Sequence, residues 1–389
     1  MARRFVSEKA ARFTESVIRE MTRLAARHGA INLAQGFPDF ATPRELKEAA
    51  CRAIRADHNQ YAITWGTKRL RDGLAKKYAA LGADPEKNVT VTCGATEAMI
   101  ATLLATINPG DEAIIFEPFY ENYGPDTILS GAKPRFVKLV PPSAGRDWSI
   151  DEAVLKRAFN DRTRAIIINT PNNPTGKVFT RAELTLIADL CQKWDVLAVT
   201  DEVYEHIIYD GAEHVSIASL PGMKERTVTT SALSKTFSVT GWRLGYAIAP
   251  PHISTAIRKV HDFLTVGAPH PLQEAAADLL KRGRRYTDTL SAEYAERRTV
   301  FFEGLEAAGL APAVPPRGAY YVMVDVSRFG FPTDTECARW MVEKVGVAAV
   351  PGSSFYENPR DGYSQLRFCF PKKLATLREA TRRLKKACR

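Results

Sequence analysis

Five short segments carry residue types whose spacing could do chemistry. In Val199-Thr-Asp-Glu-Val-Tyr204 an apolar strand candidate runs directly into two carboxylates and a tyrosine. The carboxyl ends of strands in an open α/β sheet face the ligand crevice, so Asp201 and Tyr204 are placed to act on a ligand. A buried Asp201 stays ionised only beside a cation, because burial disfavours the charged form. The plainer reading is that Asp201 and Glu202 simply begin a loop. Asn169-Thr-Pro-Asn-Asn-Pro-Thr-Gly176 also follows an apolar run, and it would hold the Asn173 amide at a fixed place unless it is an ordinary Asn-Pro-Gly turn. In Ser234-Lys-Thr-Phe-Ser-Val-Thr-Gly-Trp-Arg243 a lysine sits among small hydroxyl and apolar residues. Desolvation and cationic neighbours lower an amine's pKa and make Lys235 a competent imine-forming nucleophile, although a lone lysine is usually a surface residue. Arg243 supplies a fork of donors suited to a phosphate.

Two further segments complete the set. Cys93-Gly-Ala-Thr-Glu-Ala98 reads as a strand-to-helix turn whose free N–H groups and Thr96 hydroxyl could receive an anion, though many such turns contain glycine. Gln365-Leu-Arg-Phe-Cys-Phe370 buries an arginine in an apolar strand candidate, which suits either a bidentate carboxylate clamp or a structural ion pair. A lysine amine, an acid for a pyridine nitrogen, a phenol and an amide donor, a phosphate cup and a carboxylate clamp are together what pyridoxal 5′-phosphate needs to act on an amino acid.

The elements that must position these groups are legible as strands alternating with helices. Val89–Cys93, Glu112–Phe116, Ala165–Ile168, Val196–Thr200 and Thr227–Thr230 are short, nearly continuous apolar or β-branched runs, as expected of strands buried on both faces. Helical stretches at Thr96–Ile107 and Arg181–Lys193 lie between them, which predicts a mostly parallel α/β sheet. Beyond Pro269 a single long charged helix is expected over Leu272 to about Gly309, followed by strands at Ala319–Val326 and Gln365–Phe370. The expected division is an N-terminal arm (1–45) joining a small α+β domain (286–389), with the large domain spanning 46–285.

Composition bounds the rest. The 389 residues are 45% hydrophobic, enough for a large core. The charged start at Met1 and the lack of a long apolar stretch predict a protein of the cytoplasm without membrane association. Six scattered cysteines with no CxxC or CxH spacing suggest neither disulfides nor a metal. The net charge of +10 is concentrated locally in Lys281-Arg-Gly-Arg-Arg285 and Arg382-Arg-Leu-Lys-Lys386. Without interleaved aromatics or a helix-turn-helix, these read as solvated helix faces and not as a nucleic-acid surface.

Across nearly its whole length the chain resembles the class I aminotransferases of fold type I. The likeness rests on Gln35-Gly-Phe-Pro-Asp-Phe40, Asn169–Gly176, Asp201–Tyr204, Ser234–Arg243 and Arg367–Phe370. It is nearest to the branch of kynurenine aminotransferase, glutamine transaminase K and methionine aminotransferase. The resemblance implies pyridoxal phosphate held as a Schiff base on Lys235, which then shuttles the substrate proton. It implies that Asp201 pairs with the pyridine nitrogen, that Tyr204 and Asn173 bond the ring's phenolate oxygen, and that Phe119 stacks on the ring. Ala95, Thr96 and Arg243 would hold the phosphate, while Arg367, with Gly36 and Asn173, would take the substrate α-carboxylate. Tyr61, in Asn59-Gln-Tyr-Ala-Ile-Thr-Trp-Gly66, resembles the tyrosine that reaches a neighbouring subunit's phosphate, implying a homodimer with shared sites. The implied reaction is ping-pong amino transfer from glutamine, methionine, an aromatic amino acid or an aspartate-like donor to a 2-oxoacid. A carbon–sulfur β-lyase acting on cysteine conjugates is the alternative. Three positions depart from the family. Ala232 replaces a phosphate-binding serine, leaving Ser231 or Ser234 to compensate, while Ile18 and Val266 replace aromatic residues of kynurenine enzymes, which argues against kynurenine as the main substrate.

Overall fold

The computed structural model describes residues 5–143 and 145–388. The charged start Met1–Arg4 and the Arg284 side chain of the basic run lie outside that description. In chain order the strands are β1 (Ile31–Asn32), β2 (Val89–Thr92), β3 (Glu112–Glu117), β4 (Lys133–Val140), β5 (Ser149–Ile150), β6 (Thr163–Asn169) and β7 (Leu197–Asp201). They continue as β8 (Thr227–Ala232), β9 (Gly245–Ile248), β10 (Tyr321–Asp325), β11 (Val347–Ala348), β12 (Val350–Pro351) and β13 (Gln365–Cys369).

Eight strands form one sheet in the order β2-β9-β8-β7-β6-β3-β4-β5. The run from β8 through β7, β6 and β3 to β4 is parallel, while β9 lies antiparallel to both its neighbours and β5 is antiparallel to β4. Every residue of β3 and β8 is buried, which accounts for their lack of polar alternation. Two hydroxyls of β8 are satisfied by carbonyls: Thr230 donates to that of Thr200 at 2.7 Å and Thr227 to that of Met223 at 2.8 Å. Helices cover the sheet. Helix Arg181–Trp194 is started by a reciprocal Thr180–Glu183 capping box, and it buries Leu184, Ile187 and Cys191 against Ile166 and Ile168 of β6.

A smaller antiparallel sheet, β10-β13-β12, and the parallel pair β1-β11 build a second layer. Its core joins Ile18, Met21 and Leu33 from the start of the chain to Phe301, Leu305, Phe368 and Leu384 near its end. The expected single helix over 272–309 is instead two, His270–Leu280 and Gly283–Ala307. Gly283 has φ +61°, a left-handed conformation that a continuous right-handed helix cannot contain.

The fold's functional consequence is local. Strands β6, β7 and β8 end side by side, delivering Asn169, Asp201 and, three residues past Ala232, Lys235 to one edge of the sheet. Residue Gly94, just after β2, opens the helix Ala95–Thr106 toward the same place. From the opposite layer β13 brings Arg367.

Candidate active site

These elements enclose a cavity of about 420 Å³ lined by Gly36, Ala95, Thr96, Asn173, Asp201, Tyr204, Ser234, Lys235, Arg243 and Arg367. Ten of the twelve expected site residues therefore share one wall; Phe119 and Tyr61 do not.

Lys235 sits in a short helix, Leu233–Thr236, and its Nζ lies 3.4 Å from the Gly36 carbonyl. The faces of Tyr204 and Tyr320 stand 5.7 and 5.8 Å from the amine. Burial lowers the Lys235 pKa to about 8; Asp201 opposes the shift, while Arg243 and Arg367 reinforce it. Such an amine is half unprotonated near pH 8, where an ordinary lysine is still almost wholly charged, and the neutral form is the one a nucleophile and base requires.

Asp201 is buried, and burial raises its carboxyl above the ordinary range against the stabilising bonds from Tyr123 and Val203. Tyr123 donates to its Oδ2 at 2.7 Å, the Val203 amide approaches Oδ1 at 3.3 Å, and among the described residues no cation pairs with it. A protonated ring nitrogen would supply what is missing. Tyr204 shares a 3.0 Å hydroxyl–hydroxyl contact with Tyr321. Asn169 orders the next group: its amide donates to the Asp201 carbonyl at 2.9 Å while its Oδ1 accepts the Asn173 N–H at 2.7 Å. The Asn173 Oδ1 in turn accepts from Arg367 at 2.8 Å, leaving its amide N–H groups unengaged by described residues on the cavity wall.

Phe119 is a correction. Its side chain lies in the core beside Ile115 and Ile167, stacked on Phe136 at 5.0 Å, and is absent from the cavity wall. The next residue, Tyr120, takes that wall, and it packs edge-on against Tyr123 at 5.7 Å. Neither Tyr120 nor Tyr123 was singled out from sequence; their three-residue spacing at a helix start was the available signal.

The anion cup has a specific construction. A Cβ on Gly94 would fall 2.3 Å from Arg243 Nη2, and one on Gly245 would fall 2.2 Å from the Gly94 carbonyl carbon. Only glycines let the turn, the helix start and the arginine come this close. Arg243 bonds the Thr240 and Cys93 carbonyls at 3.1 and 3.3 Å and pairs with no carboxylate among the described residues. The buried Ser234 hydroxyl has no partner among the described residues, whereas Ser231 is engaged with the Glu202 carbonyl and the Glu205 carboxylate. Of the two serines left open by Ala232, Ser234 is the one on the cavity wall with a free donor.

Arg367 is fully buried, yet no carboxylate among the described residues pairs with it. Its Nη2 donates to the Ala34 carbonyl at 2.5 Å, its plane lies over the Tyr321 ring at 4.4 Å, and its Nε lacks any described partner. The neighbouring Gln35–Phe37 segment is held by donors that sequence reading missed. Lys372 Nζ donates to the Phe37 carbonyl at 2.7 Å and Tyr320 to the Gly36 carbonyl at 2.9 Å. A Cβ on Gly36 would strike Tyr321 Oη at 2.0 Å, so the segment fits only as glycine. Ile18 lines the cavity, while Tyr61 and Val266 are exposed away from it.

The donor set fits pyridoxal phosphate: an orphaned serine and an arginine at a helix N-terminus for the phosphate, an unpaired acid for the ring nitrogen, and a desolvated amine. A family model, aminotransferase class I and II, matches residues 28–384. The chain belongs to this family and is a pyridoxal-phosphate-dependent aminotransferase. It is 38% identical to human kynurenine–oxoglutarate transaminase 1 over 399 residues, covering 94% of each protein. It is 37% identical to methionine aminotransferase of Escherichia coli K12 over 373 residues, covering 95% of each. The structure of N-succinyldiaminopimelate aminotransferase from Mycobacterium tuberculosis superposes with a TM-score of 0.94 at 38% identity, covering 98% of this chain and 99% of that one.

Proposed function

We propose that the chain moves the amino group of an L-amino acid, with glutamine, methionine, aromatic and aspartate-like donors as candidates, to a 2-oxoacid by a ping-pong mechanism. We further propose that it works as a cytoplasmic homodimer with an N-terminal arm over 1–45, a large domain over 46–285 and a small domain over 286–389. The observation that carries the reading is the buried Arg367, without a carboxylate partner among the described residues, on the same cavity wall as the desolvated Lys235.

The bound cofactor supplies an aldehyde and an electron-withdrawing ring. Arg367, steadied by Asn173, grips the substrate α-carboxylate and fixes the Cα hydrogen toward Lys235. Lys235, as the desolvated amine on the same wall, would carry the proton between the substrate Cα and the cofactor's C4′. Asp201, ordered by Tyr123, keeps the ring nitrogen protonated; Tyr204 and Asn173 donate to the ring hydroxyl oxygen; Tyr120 replaces Phe119 against the ring face. Ser234, Ala95, Thr96 and Arg243 anchor the phosphate, with Tyr61 contributed by the second subunit.

Borohydride treatment of the holoenzyme is expected to fix the pyridoxyl group on Lys235, and Lys235→Ala is expected to lower turnover by roughly a thousandfold or more. Mixing the holoenzyme with an amino acid alone should convert the cofactor to its amine form once per site. Continuous pyruvate release from a cysteine conjugate, without that conversion, would count against amino transfer and for the β-lyase.

A further inference from the structure

The cavity wall holds one acid that the reaction above does not use. Asp126 lies in the helix Tyr123–Leu129 and is 6% exposed. Neither of its side-chain oxygens bonds a described residue; Oδ2 is closed off from solvent, which leaves Oδ1 as the oxygen a ligand in the cavity can reach. Asp201, on the same wall, at least accepts from Tyr123 and Val203. Burial alone pushes the Asp126 carboxyl up to about 8. The groups around it are committed elsewhere. On the strands packed against its helix, Arg135 pairs with Glu112 at 2.7 Å and Lys138 with Asp361 at 2.5 Å. Glu97 is taken by His261, and Glu117 by the Glu357 N–H. Arg12, Lys133 and Arg19 form no ion pair with Asp126 among the described residues. A carboxyl kept from water in this way lacks a donor that only a ligand can bring. Beside it on the wall stand Tyr120 and Tyr123, packed edge-on at 5.7 Å, whose ring faces also favour a cation. An uncharged donor could use the protonated acid only as a weak acceptor. An ammonium supplies the counter-charge that the fold withholds.

We propose that Asp126 receives the ammonium at the end of a substrate side chain while Arg367 takes the α-carboxylate. The donor class is thus a diamino acid with one amine at Cα and a second at the far end, in addition to the donors proposed above. This rests on Arg367 as the α-carboxylate clamp. Only the α-amine exchanges with the cofactor's aldehyde oxygen, giving the amine form of the cofactor and a 2-oxoacid that still carries its terminal ammonium.

The test is conversion of the holoenzyme's cofactor to its amine form in a single turnover, read by absorbance. Ornithine and lysine are compared with their uncharged isosteres norleucine and 2-aminoheptanoate. At about pH 8.5 the charged-to-uncharged ratio of second-order rates should fall about tenfold in Asp126→Asn, the difference between a charge-assisted and a neutral hydrogen bond. Asp126→Leu should lower it at least as far. In the wild type the ratio should rise as pH passes through about 8 and Asp126 ionises, and in Asp126→Asn it should stay level. Lys235 titrates in the same range but serves both substrates equally, so the ratio cancels it. The diamino acid with the larger fall gives the spacing between the two charges. A ratio that stays within about twofold of wild type in both variants overturns the proposal. A fall accompanied by a changed sedimentation coefficient overturns it too, by assigning Asp126 to a contact between copies of the chain. Wild-type holoenzyme that is converted by none of the four amino acids counts instead against Arg367 as the clamp. Removing an unpaired buried acid strands no partner, so Asp126→Asn should melt no lower than wild type, which separates lost recognition from lost fold.

Discussion

Lys235 illustrates how a reactive residue is made at the expense of stability. Its ammonium is forced down to about 8 by burial, so between pH 8 and the ordinary lysine value of 10.5 the unfolded chain holds a proton that the folded chain has released. Stability of the cofactor-free protein therefore rises with pH across that window, and the full cost of the buried cation is present below it. Lys235→Met should accordingly raise the melting temperature of the cofactor-free protein at pH 7, with the gain shrinking as pH climbs toward 10.5; differential scanning calorimetry at several pH values measures it. A gain that is absent at pH 7, or grows with pH, would show that the site does not strain this amine. Arg367 gives a complementary case. Its two planar donors reach Asn173 and the Ala34 carbonyl, a geometry a single ammonium cannot reproduce. Arg367→Lys should lower kcat/KM by roughly ten- to a hundredfold, mainly through KM, as expected for one or two lost charge-assisted bonds. At this scale the sequence was informative wherever residue types combined to dictate chemistry: a lysine just past one strand, an acid ending another and an arginine inside a third have few alternatives as a set. It was uninformative between neighbours of like chemistry. Phe119 and Tyr120 are adjacent aromatics, and only packing against Phe136 decides which one turns inward.

Among elements, the strand ends carry the site and the glycines allow the close approaches. Strand β9 runs antiparallel between β2 and β8, and its first residue, Gly245, lies against the Gly94–Ala95 turn. Gly245→Ala would put a methyl 2.3 Å from the Ala95 nitrogen, forcing the anion cup open. The expected result is pyridoxal phosphate affinity weakened about tenfold or more, read by absorbance titration, together with a lower melting temperature. Unchanged affinity in a folded variant would mean that this turn does not hold the phosphate. The cup is backed by a buried pair, for Glu97 in the helix Ala95–Thr106 accepts from His261 Nδ1 at 2.7 Å and from the Cys93 N–H at 2.5 Å. The core strands were legible because burial on both faces leaves an uninterrupted apolar run. The break near Gly283 was not, since charged helix-forming residues continue on both sides of one glycine whose φ the sequence does not reveal. The choice of Ser234 over Ser231 was equally hidden, because Ser231 is withdrawn by Glu205, a residue 26 positions away.

For the whole molecule, long-range closure is what a reading of local pattern misses most. Strand β1 pairs with β11 from near the opposite end of the chain, and Ala34 meets Arg367, so the carboxylate clamp exists only once the two ends have come together. The same scale raises the question of the second subunit. Tyr61 and Ile63 are 85% and 52% exposed, and Phe263 and Leu264 are 92% and 45% exposed. Thr64 donates to Asp262 at 3.1 Å, and His261 Nε2 meets the Thr64 carbonyl at 2.9 Å, so the two segments lie together and their apolar side chains belong to one region of the surface. A region of that character calls for cover, and a second copy would bring its Tyr61 to the site. Sedimentation should therefore give a species of twice 43.1 kDa. Phe263→Asp should shift it toward the monomer by placing a charge where an apolar contact is needed, and pyridoxal phosphate affinity should fall in parallel. Tyr61→Phe should leave the dimer intact while weakening cofactor affinity by about tenfold, the loss of one hydrogen bond to a charged acceptor. A Phe263→Asp monomer that binds the cofactor as tightly as wild type would show each site to be complete within one chain, and Tyr61 would then need another explanation.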